Sequence, residues 1–358
     1  MGDEQMTRHC AAITALAYHL PATRLTNADL AISNPEWQSD KIESKTGIAE
    51  RRIAAPDETA SDLAVAAARK LFDVAHVESS SIDFVVYCTQ SPDYLLPSTA
   101  CLIQEELGIP TSAGAFDMNL GCSGFVYGLG LCKGLIETDQ ANRILLLTAD
   151  TYSKHINPAD RSVRTIFGDA GAATLVERVP SSDGPVIGPF RYGTNGRGAG
   201  DLVVPNSGMR ARSQQTAGKP LLRGGRFGSE WLYMNGPAVF SFTLNIVPKL
   251  VADVLAAARL SLNDVDMIVP HQANAYMLEA LRKRLNVPTE RFFVDVRNIG
   301  NTVSATIPIA LVTAASSGLV KPGHHIMLLG FGIGLSWGGT MIRWQNTAVG
   351  VSDAAASG

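Results

Sequence analysis

The chain repeats itself, and the repeat limits what it can fold into. Ser80-Ser81-Ile82-Asp83-Phe84-Val85-Val86-Tyr87-Cys88 runs like Leu262-Asn263-Asp264-Val265-Asp266-Met267-Ile268-Val269-Pro270-His271. A helical stretch follows each, closing on Glu105-Glu106-Leu107-Gly108-Ile109-Pro110 in the first copy and Lys283-Arg284-Leu285-Asn286-Val287-Pro288 in the second. A second apolar strand comes next, Ala115-Phe116-Asp117 and Phe292-Phe293-Val294-Asp295. Five residues past those aspartates stand Cys122 and Gly300, with Asn301 following. Counting from Asp83 and Asp266 pairs Cys88 with His271. Each copy then reaches another apolar strand, over 143–149 and 325–330.

Two copies of a unit that alternates strands and helices predict an α/β protein with parallel or mixed sheets covered by helices. If the copies pack about a pseudo-twofold axis, equivalent loops converge, and Cys122 of one half meets His271 and Asn301 of the other. Pro, Ser, Asp and Gly cluster over 180–184, which puts the boundary there. The expected organisation is an N-terminal half over 1–180 carrying the cysteine and a C-terminal half over 181–347 carrying the histidine and asparagine. Glycine- and arginine-rich sequence over 193–228 reads as a long loop, and 348–358 as a disordered tail.

Composition narrows the function. At 358 residues, 46% hydrophobic and 18% charged, the chain suits a well-buried enzyme. A formal charge of -3 supplies no global attraction to nucleic acid or to an anionic membrane. Five cysteines (Cys10, Cys88, Cys101, Cys122, Cys132) form no CxxC pair and no Cys/His metal spacing, which argues against zinc. Their odd number, with no secretory signal in the first residues, favours reduced thiols in a cytoplasm. No run approaches the ~18 uninterrupted apolar residues of a membrane span.

Cys122 ends a short apolar run in Asn119-Leu120-Gly121-Cys122-Ser123-Gly124-Phe125. Phe125, Leu129, Cys132 and Ile136 recur at helical spacing, so the thiol is expected at a helix N-terminus, where the macrodipole favours thiolate. Cys10, Cys101 and Cys132 read as buried structural cysteines. His271 follows Met267-Ile268-Val269-Pro270 and is expected at a strand's C-terminal end, the edge where open α/β sheets place ligands. A neutral imidazole there can activate a thiol or stabilise charge on a substrate oxygen. Asn301 cannot titrate and suits polarising a carbonyl oxygen. Gly330-Phe331-Gly332-Ile333-Gly334 lacks the spacing and βαβ context of a nucleotide loop. A backbone hairpin that offers an amide to an oxyanion beside Cys122 is the better use.

Together with Thr46-Gly47-Ile48, Arg51-Arg52-Ile53-Ala54, Asp160-Arg161 and Phe167-Gly168-Asp169-Ala170-Gly171-Ala172, these motifs resemble β-ketoacyl-acyl carrier protein synthase III of the thiolase superfamily over nearly the whole chain. Asn301 separates the resemblance from the elongating ketosynthases, which use a second histidine there. The resemblance implies a homodimeric, thiolase-like αβαβα sandwich of two duplicated halves. It implies a decarboxylating Claisen condensation with CoA thioesters as substrates and no further cofactor. Cys122 would take an acyl group from acyl-CoA. His271 and Asn301 would stabilise the enolate formed from malonyl-acyl carrier protein.

By the same resemblance, backbone amides of Cys122 and Ile333 would hold the oxyanion, with Phe331 beside the triad and Phe167 lining the site. Leu96, before Pro97, would line the partner subunit's primer pocket. Arg161, Lys45 and Asn274 fall on the CoA or carrier side, as do Arg282, Lys283 and Arg284. Departures exist. Lys41 stands where the family has an adenine-stacking tryptophan, with Trp37 close by. Lys45 replaces an arginine and loses bidentate phosphate geometry. Tyr276 stands where a carrier-docking arginine is common, and the 193–228 segment is longer than usual. These departures motivate a second reading, an enzyme of secondary metabolism that condenses a different acceptor or passes its acyl group to an alcohol or amine. A third, a non-catalytic partner subunit, is opposed by the intact Cys122, His271 and Asn301.

Overall fold

A computed structural model describes residues 9–180, 186–209 and 230–352. Among them the first strands are β1 (His9–His19), β2 (Thr23–Thr26), β3 (Glu50–Ile53), β4 (Phe84–Cys88), β5 (Gly114–Met118), β6 (Arg143–Asp150) and β7 (Ala170–Pro180). The later ones are β8 (Ile187–Thr194), β9 (Leu202–Val203), β10 (Tyr233–Met234), β11 (Met267–Pro270), β12 (His325–Gly332), β13 (Ser336–Arg343) and β14 (Ala348–Gly350). Helices α1 (Asn27–Ser33), α2 (Ser39–Thr46), α3 (Ala60–Ala75), α4 (Thr99–Glu106), α5 (Gly124–Glu137) and α6 (Arg161–Arg164) belong to the first half. Helices α7 (Gly236–Ala258), α8 (Ala275–Leu285) and α9 (Thr306–Ser316) belong to the second.

The repeat is visible in the sheets. The six-stranded sheet has order β14-β1-β7-β6-β4-β5, and the four-stranded sheet has order β11-β12-β13-β8. In both, a parallel pair (β4 with β6, β11 with β12) leads to an antiparallel strand (β7, β13) and then to another (β1, β8). The aspartates that aligned the two copies make equivalent bonds. Asp83 Oδ2 accepts the amides of Asn142 and Arg143 at 2.7 and 2.9 Å, and Asp266 Oδ2 accepts the amide of His325 at 2.7 Å. Each aspartate thus pins the start of its central strand to the neighbouring one.

Layering follows from which helix faces are buried. In α9 every residue from Thr306 to Val312 is buried, and in α5 Phe125, Val126, Leu129, Cys132 and Ile136 are buried. A helix buried all round, as α9 is over this stretch, must be covered on all sides, whereas α5 turns Leu131 and Glu137 outward and buries its other face. These two helices form one core with Leu16, Leu146 and Ala172 of the first sheet and Val269 and Leu328 of the second. Helix α3 covers the outer face of the first sheet through Ala64, Ala68 and Leu71. Helices α7 and α8 cover the second through Val247, Leu250, Leu278 and Leu281. The result is a five-layer αβαβα sandwich with its two equivalent helices in the middle. Helix α7 is long and apolar enough by composition to cross a membrane, yet its Thr243, Val247, Leu250, Val251 and Val254 are buried in this layer.

Local signals set the helix starts. Thr59 and Asp62 form a reciprocal capping box at α3, as Thr26 and Asp29 do at α1. Three expectations are corrected. The second copy's strand at Phe292 shrinks to a single bridge with Ile268. Residues 348–350 are a strand, not part of a disordered tail. β14 pairs parallel with Ala15, Leu16 and Ala17, and the Leu20 amide donates to the buried Ser352 hydroxyl at 3.2 Å. The region read as a loop from 193 begins as the end of β8, makes a 3-10 turn over Gly196–Asp201 and adds β9, which pairs with β10. The remainder of that region, 210–228, and residues 353–358 lie outside the described residues.

Gly171 in β7 faces backbone: an added Cβ would collide with the carbonyl group of Leu63 in α3, whose atoms cannot swing aside. Gly171→Ala is therefore expected to cost about 2 kcal/mol or more, read as a lowered urea midpoint. An unchanged midpoint would show that α3 can slide.

Candidate active site

The turn from β5 into α5 presents Cys122, which is 5% exposed. Close packing requires the glycines on either side of this turn. A Cβ on Gly124 would overlap Cys88 Sγ, and one on Gly332 would lie 2.8 Å from Cys122 Sγ. The end of β12 thus runs directly over the thiol, with the backbone amide of Ile333 directed at it. Burial dominates its titration and pushes the Cys122 thiol up to about 12, against the pull of the Ile333 and Cys122 amides. This corrects the expectation of a standing thiolate: desolvation outweighs the helix terminus.

His271 follows β11, and its amide donates to Leu329 O at 2.7 Å. The ring is buried, with Nδ1 2.7 Å from Thr306 Oγ1 and Nε2 3.5 Å from Asn301 Nδ2. Phe331 meets it edge to face, ring centres 5.7 Å apart. Burial drives the imidazole down to about 3, so it rests neutral.

Asn301 is aimed by its neighbours. Gly300 has φ +77°, and a Cβ there would lie 2.9 Å from Ile166 O and 3.1 Å from Arg51 Cβ. The Asn301 amide donates to Ile166 O and its carbonyl accepts from Gly168, which makes the parallel bridge to Phe167. Its side-chain oxygen accepts the Val303 amide at 2.9 Å, which turns Nδ2 toward His271. Beneath this turn the buried Arg51 donates to Thr165 O and Asn27 Oδ1, both at 2.8 Å.

Phe331, Gly332 and Ile333 therefore touch both groups, the imidazole through Phe331 and the thiol through Gly332 and Ile333. Tyr152, Ile156, Val163, Phe167, Leu202, Leu232 and Val303 pack around Cys122 as an apolar cluster. Sequence reasoning missed Asp150. Its Oδ1 accepts the Gln90 amide at 2.7 Å and its Oδ2 accepts the Ser304 hydroxyl and amide at 2.5 and 3.2 Å. Burial raises that carboxyl to about 7, against these hydrogen bonds. An acid closing the apolar run Ile144-Leu145-Leu146-Leu147-Thr148-Ala149 was the available signal.

Other expected positions lie elsewhere. Leu96 is 86% exposed beside the exposed Tyr94 and Leu95. Lys45, in the last turn of α2, and Arg161, at the start of α6, are exposed. Asn274 is a helix cap: its Oδ1 accepts the Met277 amide at 2.9 Å. Arg282 is turned onto Glu279 at 2.8 Å and Val287 O at 2.7 Å, and Lys283 pairs with Glu279 at 3.3 Å, leaving Arg284 as an exposed cation of this helix. Trp37 is buried with Leu30 and Ile42, which removes it as a stacking surface. Tyr276 is exposed and stacked on Phe240, ring centres 5.6 Å apart. Cys101 is exposed, not buried as expected, whereas Cys10 and Cys132 are buried.

A thiolase-type sandwich with Cys, His and Asn on converging loops defines a condensing acyltransferase. Two family descriptions match: 3-oxoacyl-[acyl-carrier-protein (ACP)] synthase III over residues 116–196 and its C-terminal region over 255–344. The β-ketoacyl-[acyl-carrier-protein] synthase III of Caldanaerobacter subterraneus subsp. tengcongensis is 37% identical over 339 residues, 94% of this chain and 98% of that protein. A 2.1 Å crystal structure of 3-oxoacyl-(acyl-carrier-protein) synthase III is 50% identical, TM-score 0.88, covering 94% of this chain and 100% of the other. The priming β-ketosynthase of the R1128 polyketide pathway is 32% identical, TM-score 0.84, covering 96% and 99%. The chain belongs to the 3-oxoacyl-acyl carrier protein synthase III family.

Two outcomes follow from the titrations. Iodoacetamide labelling of Cys122, followed by peptide mass, should rise about tenfold per unit from about pH 7 to about pH 10. A plateau near neutrality would reveal a preformed thiolate. For His271 the folded value of about 3 lies below the unfolded ~6.5. The folded state binds fewer protons between them, so stability is full above that window and lost as pH falls through it. Wild type should lose up to about 1.4 kcal/mol per pH unit more than His271→Gln on acidification. Parallel urea-melt series would contradict a neutral buried imidazole.

Proposed function

We propose that the chain joins an acyl-CoA primer to malonyl-acyl carrier protein by decarboxylative Claisen condensation. The observation that carries this is that one strand end, Phe331 to Ile333, touches Cys122 through Gly332 and Ile333 and touches His271, the neighbour of Asn301, through Phe331. Cys122 sulfur attacks the primer carbonyl, and CoA leaves as the thiol with the proton Cys122 has lost. The malonyl thioester then binds with its carbonyl oxygen at Asn301 and His271. Its C–CO2 bond breaks, and the electron pair enters the enolate whose oxygen these two residues flank. The enolate carbon attacks the acyl-Cys122 carbonyl, and the oxyanion faces the amides of Cys122 and Ile333. Collapse expels the Cys122 sulfur, which regains a proton, and releases a 3-oxoacyl thioester. The broken C–CO2 bond supplies the electrons, so no redox cofactor or metal is required.

The partners follow from the surface. Three consecutive exposed apolar residues, Tyr94, Leu95 and Leu96, together with β5 at the edge of its sheet, support a homodimer. Lys45 and Arg161 offer charge to CoA phosphates, and Arg284 to an acidic carrier. A nucleophilic thiol that must stay reduced suits the cytoplasm.

Intact-protein mass after incubation with a panel of acyl-CoAs should show one acyl adduct, absent from Cys122→Ala. Adding malonyl-acyl carrier protein should clear it into 3-oxoacyl product. Asn301→Asp should acylate normally but condense about a hundredfold more slowly. An adduct that persists with malonyl-acyl carrier protein and clears with an amine or alcohol would overturn condensation in favour of transfer.

A further inference from the structure

The side chains of Asn301, His271 and Thr306 and the backbone of Val303 form a closed ring of hydrogen bonds. Asn301 Nδ2 faces His271 Nε2 at 3.5 Å, His271 Nδ1 faces Thr306 Oγ1 at 2.7 Å, Thr306 Oγ1 donates to Val303 O at 3.1 Å, and the Val303 amide donates to Asn301 Oδ1 at 2.9 Å. The direction of the ring follows from Asn301, whose oxygen is taken by the Val303 amide, so that Nδ2, which can only donate, faces Nε2. Thr306 then accepts from His271 and gives its one proton to Val303 O. Nδ1 therefore carries the imidazole proton. Asn301 has its oxygen on the Val303 amide, so it presents NH2 to a bare Nε2. All four bonds then run head to tail, the arrangement in which each polarises the next. Val303 is held at φ +57°, a conformation unusual for a β-branched residue, which presents its N–H and C=O to two members of the ring.

We propose that Thr306 is a positioning residue that holds His271 as the Nδ1–H tautomer, so that Nε2 enters the reaction as a proton acceptor. The proposal rests on the condensation described above and divides its labour. Asn301 is the standing donor to the enolate oxygen. His271 becomes a donor only after Nε2 takes up a proton, which the carboxylate of bound malonyl thioester favours as a counter-charge. That proton passes to Cys122 sulfur when the C–S bond breaks, so the one proton condensation consumes enters through Nε2 and the atoms balance.

The test is the 15N spectrum of histidine-labelled enzyme without substrate, with the His271 pair assigned among seven histidines by its loss in His271→Gln. Wild type and Thr306→Ser should show a protonated Nδ1 and an unprotonated Nε2. Thr306→Val should shift protonation toward Nε2, keep acylation by acyl-CoA within about threefold and slow malonyl decarboxylation about a hundredfold. A protonated Nε2 in wild type would falsify the assignment, as would an unchanged tautomer in Thr306→Val. Should the valine variant not fold, the wild-type and serine spectra still decide. A correct tautomer in an enzyme that never condenses would leave this assignment standing and remove the condensation reading instead.

Discussion

Everything at the site depends on one backbone-to-backbone contact between the halves. Where the end of β12 crosses the start of α5, a Cβ on Gly330 would lie 2.8 Å from Ser123 Cα, and one on Gly332 2.8 Å from the sulfur of Cys122. Only a strand stripped of side chains can approach a helix start so closely. That approach aligns the Ile333 amide with the thiol, and the same strand carries Phe331 against His271. The Ser123 and Ser336 hydroxyls close the crossing with a bond of 2.6 Å. The amide over the sulfur is thus set by how the two halves pack, not by either alone.

The same contact decides the electrostatics. Closing backbone over Cys122 and His271 removes water, and the missing hydration keeps the thiol protonated and the imidazole neutral. A resting site of neutral groups has no ion pair to be disrupted when an apolar acyl chain enters. It also leaves charge to be created only where substrate brings it, at a thioester oxygen or a departing carboxylate, inside an environment whose dipoles are already oriented. Asp150 acts at one remove: its carboxyl ties the Ser304 turn, just after Asn301, to Gln90 at the end of the first sheet.

Much of this was legible because duplication is written in letters. The aspartates Asp83 and Asp266 aligned the copies and turned out to make equivalent bonds. Cys122, His271 and Asn301 were found through their glycine-rich or strand-terminal contexts, which are local. What the letters hid was long-range. The strand at Phe292 was lost because its neighbours in the second half leave it only a single bridge. Asn274 was read for its place beside His271, and the letters did not show that its Oδ1 caps α8. Thr306 and Asp150 carried no motif, since a hydroxyl and a carboxyl acquire meaning only from what they face. The thiol was misjudged because a helix terminus is visible in sequence whereas the strand that dries it lies two hundred residues away.

The crossing-over of β14 has a consequence for how the molecule is made. Residues 348–350 lie beyond the whole second half in sequence, yet they pair with Ala15 to Ala17 in the first sheet. During synthesis, Ala15 to Ala17 of β1 must wait with one edge unpaired until the whole second half has emerged. Parallel pairing over that separation is among the slowest contacts a chain can make. A first half without those residues is consequently a sheet whose outer strand is the eleven-residue β1, and adding β14 replaces that long edge over Ala15 to Ala17 with a strand of three residues.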